Sequence, residues 1–127
     1  MTREERAQQL WGILVLAAQN RQVLTYEIVA HACGVPAPAI GDFLRPIQQY
    51  CSEKRFPPLT SIIVSKQTGL PGDGFIAAES VPLAQIQTFA RDWSETSAPS
   101  ADELADAYSR APDRRGIAQQ NAQTDRA

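Results

Sequence analysis

The segment from Thr25 to Phe75 constrains this chain more than any other. It opens with Thr25-Tyr26-Glu27-Ile28-Val29-Ala30, turns at Gly34-Val35-Pro36, and resumes with Ala39-Ile40-Gly41-Asp42-Phe43-Leu44. After a polar interval it reads Phe56-Pro57-Pro58-Leu59-Thr60-Ser61-Ile62-Ile63-Val64-Ser65, and it closes on a glycine-rich run, Gly69-Leu70-Pro71-Gly72-Asp73-Gly74. Thr25 suits a helix N-cap and Gly34 a helix stop. The prolines at 36 and 38 bias their predecessors away from helix, so a tight turn follows. Ile40, Phe43, Leu44, Ile47 and Cys51 then recur at spacings of three and four, an amphipathic stripe from about Ala39 to Lys54. Pro46 lies inside that stripe and predicts a kink or break near Arg45. Leu59–Ser65 is rich in β-branched residues and reads as a strand. Gly69–Gly74 is turn chemistry, with Phe75-Ile76-Ala77 as a returning partner strand in a small hairpin.

The flanks are helical as well. Residues 3–20 carry Ala7, Leu10, Trp11, Leu14, Ala17 and Ala18 at helical spacing behind a Thr2 cap, with Ile13, Val15 and Leu16 widening the stripe. A face that wide packs in the core or meets a second copy of the chain. Leu83–Trp93 predicts another helix, with Pro82 near its first turn and Leu83, Ile86, Phe89, Ala90 and Trp93 repeating at spacings of three and four. Ser97-Ala98-Pro99-Ser100 reads as a linker. Ser100 with Glu103 is a capping-box pattern for a short helix over Ala101–Ser109, and the polar tail from Ala111 lacks a stripe. The expected layout is one domain over residues 1–96 and a linker, short helix and loose tail over 97–127.

Charge limits the partners. The chain has a net charge of −2 and is 43% hydrophobic. Residues 1–78 carry seven Lys/Arg against six Asp/Glu, and residues 79–127 carry five against eight, so an anion-binding face belongs in the first part. Cys33 and Cys51 are too few and too far apart for a disulfide framework or a zinc motif. One histidine with two scattered thiols makes no metal-ligand set, and no cofactor is expected. The Leu10–Ala18 run is too short to span a membrane and lacks a secretory cleavage pattern. A cytoplasmic setting is the expectation. His31 and Cys33, two apart on a helix, point in different directions; Glu27 and His31 share a face, but no nucleophile stands beside them. The glycine run lacks the Lys-Ser/Thr of a phosphate-cradling loop.

The central segment resembles the C-terminal DNA-binding domain of methylguanine-DNA methyltransferases and their alkyltransferase-like relatives. Thr25-Tyr26-Glu27-Ile28-Val29-Ala30 is similar to that family's Thr-Tyr-Gly-Glu-Ile-Ala, with the glycine missing. Ala37-Pro38-Ala39-Ile40-Gly41 compares with its Ala-x-Ala-Val-Gly, and Pro58–Ile63 with its Pro-Cys-His-Arg-Val-Val, followed by a glycine-rich wing. The resemblance implies a winged helix-turn-helix in which Tyr26 presses on a DNA phosphate. The reactive thiol and its histidine are replaced by Leu59 and Thr60, and the base-stack arginine falls near Pro38, so alkyl transfer is excluded on residue identity.

The fold expected is therefore mainly α with a small β-hairpin, a winged helix-turn-helix with an extra C-terminal helix. The function expected is non-enzymatic contact with double-stranded DNA. Tyr26, Arg45, Gln48, Gln49, Lys54, Arg55 and Lys66 form the site, because Gln and Arg read base edges and Lys/Arg hold phosphates. The alternative is a protein-interaction module or inhibitor on the same fold, in a bacterial or phage system, with a partner or a second copy meeting the N-terminal helix.

Overall fold

A computed structural model describes residues 1–72 and 80–112 of the chain. The described residues are mainly helical: α1 (Arg3–Gln19), α2 (Tyr26–Cys33), α3 (Ile40–Lys54), α4 (Val81–Ala90) and α5 (Ala101–Arg110), with two short strands, β1 (Leu24–Thr25) and β2 (Ile63–Val64). The helix ends follow their local chemistry. Thr2 accepts from the Glu5 amide at 3.1 Å while the Glu5 carboxylate accepts from the Thr2 amide at 3.1 Å, a reciprocal box that satisfies two otherwise orphan donors. Thr25 accepts from the Ile28 amide to open α2, and Gly34 closes it with φ +70°, a left-handed turn that glycine adopts without Cβ strain. Arg55 closes α3 in the same region, at φ 58°.

The core is built from α1, α2, α3 and α5 around Trp93. Ala7, Leu10, Trp11, Leu14, Ala17 and Ala18 of α1 are buried as their spacing predicts, and they meet Val29, Ile40, Ile47, Leu59, Ile62, Leu104 and Ala107. Four aromatic rings join edge to face: Trp11 contacts Tyr50 at 5.6 Å and Trp93 at 5.9 Å between centroids, and Phe56 contacts Tyr50 at 6.3 Å and Trp93 at 6.0 Å. Such pairs add roughly 0.5–1.5 kcal/mol each beyond burial.

Three expectations need correction. Of the kink or break expected near Arg45, the break is absent: α3 continues through Pro46. The missing amide removes the bond to the Asp42 carbonyl, but Pro46 is itself fully buried, and packing against α1 and α5 holds the segment helical. The expected strand over Leu59–Ser65 is instead a 3₁₀ turn, Leu59–Ile62, leading into β2. Pro57-Pro58 fixes the entry, and the Ser61 amide bonds back to the Pro58 carbonyl at 3.0 Å. Among the described residues β2 pairs in parallel with β1, Leu24 opposite Ile63 and Thr25 opposite Val64. The expected hairpin partner of this strand, Phe75–Ala77, lies outside the described residues. Finally, α5 is no appendage to a linker. It packs on α3 and α1, and Leu104 and Ala107 are fully buried, so residues 101–110 share one core with α1 to α3. The polar tail beyond Pro112 lies outside the described residues.

α4 carries the largest surprise. Its apolar repeat is Leu83, Ile86, Phe89, Ala90 and, past the helix end, Trp93; Trp93 is buried, but within the helix Ala84 and Thr88 are the buried residues, while Leu83 is 53% and Ile86 63% exposed. The reason is polar. The Thr88 hydroxyl lies 2.8 Å from the Ala84 carbonyl, 3.0 Å from the Pro58 carbonyl and 3.3 Å from the Ser61 hydroxyl. Gln85 donates to the Ser61 carbonyl at 2.9 Å, and the buried Trp93 indole donates to the Thr88 carbonyl at 2.8 Å. These bonds clamp one side of α4 onto the 3₁₀ turn, and the apolar stripe is left on the other.

Leu104→Ala tests whether α5 belongs to the core. A cavity there should cost about 2–5 kcal/mol in chemical denaturation; a loss within about 0.5 kcal/mol, as at surface positions, would place the helix outside the cooperative unit.

Candidate binding surface

The polar row of α3 faces α5, and that decides most of the expected site. Arg45 is half-buried: its Nη2 donates to the Pro112 carbonyl at 2.7 Å, its guanidinium sits 5.3 Å from the Tyr108 ring, and its Nη1 is 4.0 Å from Asp42. Arg3 crosses from α1 to the same place, 2.8 Å from Asp42 and 4.1 Å from the Tyr108 ring. Gln48 is half-buried. Gln49 donates to Glu53 at 2.8 Å, and Glu53 receives both Nε and Nη2 of Arg110, at 2.7 and 2.8 Å. Two parallel N–H···O bonds of this kind hold both partners in one geometry. The Arg110 guanidinium and the Gln49 amide together hold the Glu53 carboxyl down at about 2. α5 also carries Asp102, Glu103 and Asp106, all exposed. The expected base-reading row is therefore occupied by an acidic helix.

The remaining expected residues do not form one cluster with Arg45. The Tyr26 hydroxyl accepts from the Gly72 amide at 2.8 Å, which ties the start of α2 to the loop after β2. A Cβ at position 72 would lie 2.5 Å from that hydroxyl, so any larger residue there would displace the tyrosine tip. Lys66 is exposed in the turn that follows β2, a turn closed by the Ser65 amide on the Leu70 carbonyl and by Gly69 at φ +70°. Lys54 and Arg55 are exposed at the far end of α3, with the Lys54 ammonium 5.7 Å from the Tyr50 ring.

Two features were not anticipated from sequence, the placement of Arg91 and the exposure of the α4 stripe. Arg91 follows α4 and lays its guanidinium over Phe56 at 4.1 Å and Trp93 at 5.1 Å. Its Nη2 donates to the Thr96 hydroxyl at 2.7 Å, while its Nε is buried without an acceptor. Arg3, Arg45 and Arg110 each have a carboxylate within 4.0 Å, but among the described residues none stands that close to Arg91, Lys54 or Arg55. The second feature is the outward stripe of α4, Leu83, Ile86 and Ala90. The only sequence signal was a cation between two aromatics, Phe89-Ala90-Arg91-Asp92-Trp93, and helical spacing alone cannot tell an outward stripe from an inward one.

Nucleophilic chemistry finds little support. Cys33 and Cys51 are buried free thiols, and burial pushes the Cys51 thiol up to about 12, far from a reactive thiolate. Burial also raises the Cys33 thiol. Thr60 is buried with no partner for its hydroxyl among the described residues, and the Ser61 hydroxyl lies 3.3 Å from that of Thr88. Among the described residues no group of three His, Cys, Asp or Glu side chains could hold a metal ion, and no helix is long and apolar enough to cross a membrane. No protein-family model matches the chain, and no curated protein or solved structure is significantly similar to it.

Two measurements check this geometry. The folded value of Glu53 is depressed, so its stabilising contribution is complete above the ordinary Glu range and is lost as pH falls towards about 2. Urea unfolding between about pH 5 and pH 2 should lose stability more steeply in the native chain than in Glu53→Gln; equal slopes would show that the α3–α5 ion pair does not persist in solution. Ellman's reagent at pH 8 should leave both thiols of the folded chain unreacted and titrate both after denaturation; fast labelling of the folded chain would contradict their burial.

Proposed function

We propose that this chain is a non-catalytic protein-interaction module whose contact face is the outward side of α4. The observation that carries this reading is the inverted packing of that helix. Fully burying a Leu or Ile side chain stabilises a fold by roughly 1.5–3 kcal/mol, whereas a satisfied hydroxyl contributes about 0.5–1.5 kcal/mol net. Taking Thr88 inward and leaving Leu83 and Ile86 outward is thus a poor choice for folding alone. It is the expected choice for a surface that a partner covers, because contiguous exposed apolar residues mark interaction sites. Ala90 and the half-buried Phe89 extend the stripe, and α4 carries no charged residue, as befits the centre of an interface. α1 offers no comparable face, since its apolar stripe is taken up by the core.

Duplex-DNA contact is the second reading. The order of α2, turn, α3, β2 and the Gly69 turn supports a winged helix-turn-helix, and exposed Lys66, Lys54 and Arg55 support phosphate contact. Against it stands α5, an acidic helix packed on the α3 row that would need to meet a polyanion.

The two readings separate cleanly. Immobilised full-length chain, offered nuclease-treated lysate of its source organism, should retain a stoichiometric protein that is lost with Leu83→Asp plus Ile86→Asp, while the variant melts as the native chain does. In parallel, duplex affinity at low and moderate salt should be weak and indifferent to Arg45→Ala and Lys66→Ala. Salt-sensitive duplex binding lost in those two variants, with the α4 variant behaving as native, would overturn the proposal in favour of DNA.

A further inference from the structure

The outer face of α1 carries a residue that nothing within the described fold explains. Glu5, Gln8, Gly12, Leu16 and Gln19 recur every three or four residues and are all exposed, so they form one outward stripe, opposite the buried Ala7, Leu10, Leu14 and Ala18. Gly12 stands at its centre. Glycine costs a helix interior more than any residue except proline, and a fold keeps it there for a special backbone angle or a close neighbour. Neither holds at Gly12: its φ is not positive, and an added Cβ would meet no other described atom within 4 Å. Gly41, the other open helical glycine, stands in the first turn of α3 rather than in a helix interior. The chain from Ala7 to Asn20 also carries no charge, and Leu16, one turn from Gly12, is 62% exposed. A helix that faces water ordinarily sets charged residues on its outward side.

We infer that a second copy of the chain covers this face, the two α1 helices crossing antiparallel at Gly12 on a two-fold axis. The inference does not rest on the reading of α4. A two-fold contact sets the same patch of both copies against itself, and the spacing of packed helices is fixed by the side chains at the crossing. A glycine at that point lets the two backbones approach, and no other exposed position of the stripe does. Gln8, Gly12 and Leu16 make one i±4 row, the ridge that interdigitates in the commonest class of helix crossing, so each Leu16 leaves water beside the crossing. The charge pattern favours this occupant. A foreign surface with charges at the contact would strand them, desolvated and unpaired, against an uncharged face; the second copy brings none. Glu5, the one charge of the stripe, lies two turns from the crossing, and the antiparallel pair holds the two Glu5 carboxylates about 20 Å apart. A single helix pair covers less than the roughly 800 Å² per partner of a standard interface, so the dimer is weak, with a Kd on the order of 10–100 μM.

Sedimentation equilibrium of the full-length chain, from about 1 μM to about 1 mM, should show a monomer passing into a dimer. Gly12→Ala should act with opposite signs on fold and assembly. The dilute variant should melt a few degrees higher than the native chain, because alanine favours helix and its Cβ has room in the monomer. Its dimer should weaken by about tenfold or more. Leu16→Glu, at an exposed position, should stay monomeric throughout and melt as the native chain does. Ile86→Asp should dimerise like the native chain, which separates this contact from the α4 face. A native chain that remains monomeric to about 1 mM would overturn the inference, as would a dimer equally tight in Gly12→Ala. A lower melting temperature in Gly12→Ala would give the glycine a role inside the fold and overturn it too. Dimerisation lost in Ile86→Asp but kept in Leu16→Glu would assign self-association to α4, overturning this contact and leaving the α4 reading intact.

Discussion

A buried indole must find an acceptor for its N–H, and in this chain that requirement reaches far. Trp93 is almost wholly inside the core, and its donor takes the Thr88 carbonyl at the end of α4. An unsatisfied buried donor costs about 1–3 kcal/mol, so the bond fixes where α4 stops and which way it faces. The same indole packs edge-on against Trp11 and Phe56, tying α4 to α1 and to the end of α3. Thr88, pulled in beside it, anchors on Pro58 and Ser61. The exposed stripe of α4 is the consequence, since a helix held by its polar side has only its apolar side to show.

A second constraint acts on α3. Its buried stripe is shared between α1 on one flank and α5 on the other, and the polar residues between them are drawn into the α5 contact. Arg45 reaches under the end of α5 to Pro112, and Glu53 clamps Arg110. Partly exposed ion pairs of this sort add modest stability. Their larger effect here is on the surface potential: they remove Arg45 from the anion-binding inventory and hold an acidic helix against α3. Among the described residues Lys54, Arg55 and Arg91, like Arg6, Arg21 and Lys66, have no carboxylate within 4.0 Å. The functional reading follows from that redistribution more than from the element order, because one scaffold can serve DNA or protein contact equally well.

Much of the skeleton was legible in advance. The caps at Thr2, Thr25 and Ser100, the stop at Gly34 and the stripes of α1 and α3 are local signals, set within a turn or two of chain, and they stand where the residues place them. Even the last helix announced itself through Ser100 and Glu103. The apolar spacing of Leu83, Ile86 and Ala90 was equally plain, and it left open which side of the helix is buried. Periodicity reports that a helix has an apolar face, but it is silent on whether that face meets the core.

What the sequence by itself determined is therefore the set of helices, their ends and the two apolar stripes that build the centre of the core. Only the tertiary structure decided the rest: that β2 pairs with β1, that α5 covers the polar side of α3, and that Arg91 lies over Phe56 and Trp93. The physical reason is the range of the interactions. Capping and helical spacing act over three or four residues, whereas the Trp93, Thr88 and Arg45 contacts join segments from five to 82 residues apart in the chain, and nothing in the local pattern encodes which of several chemically suitable partners each will find.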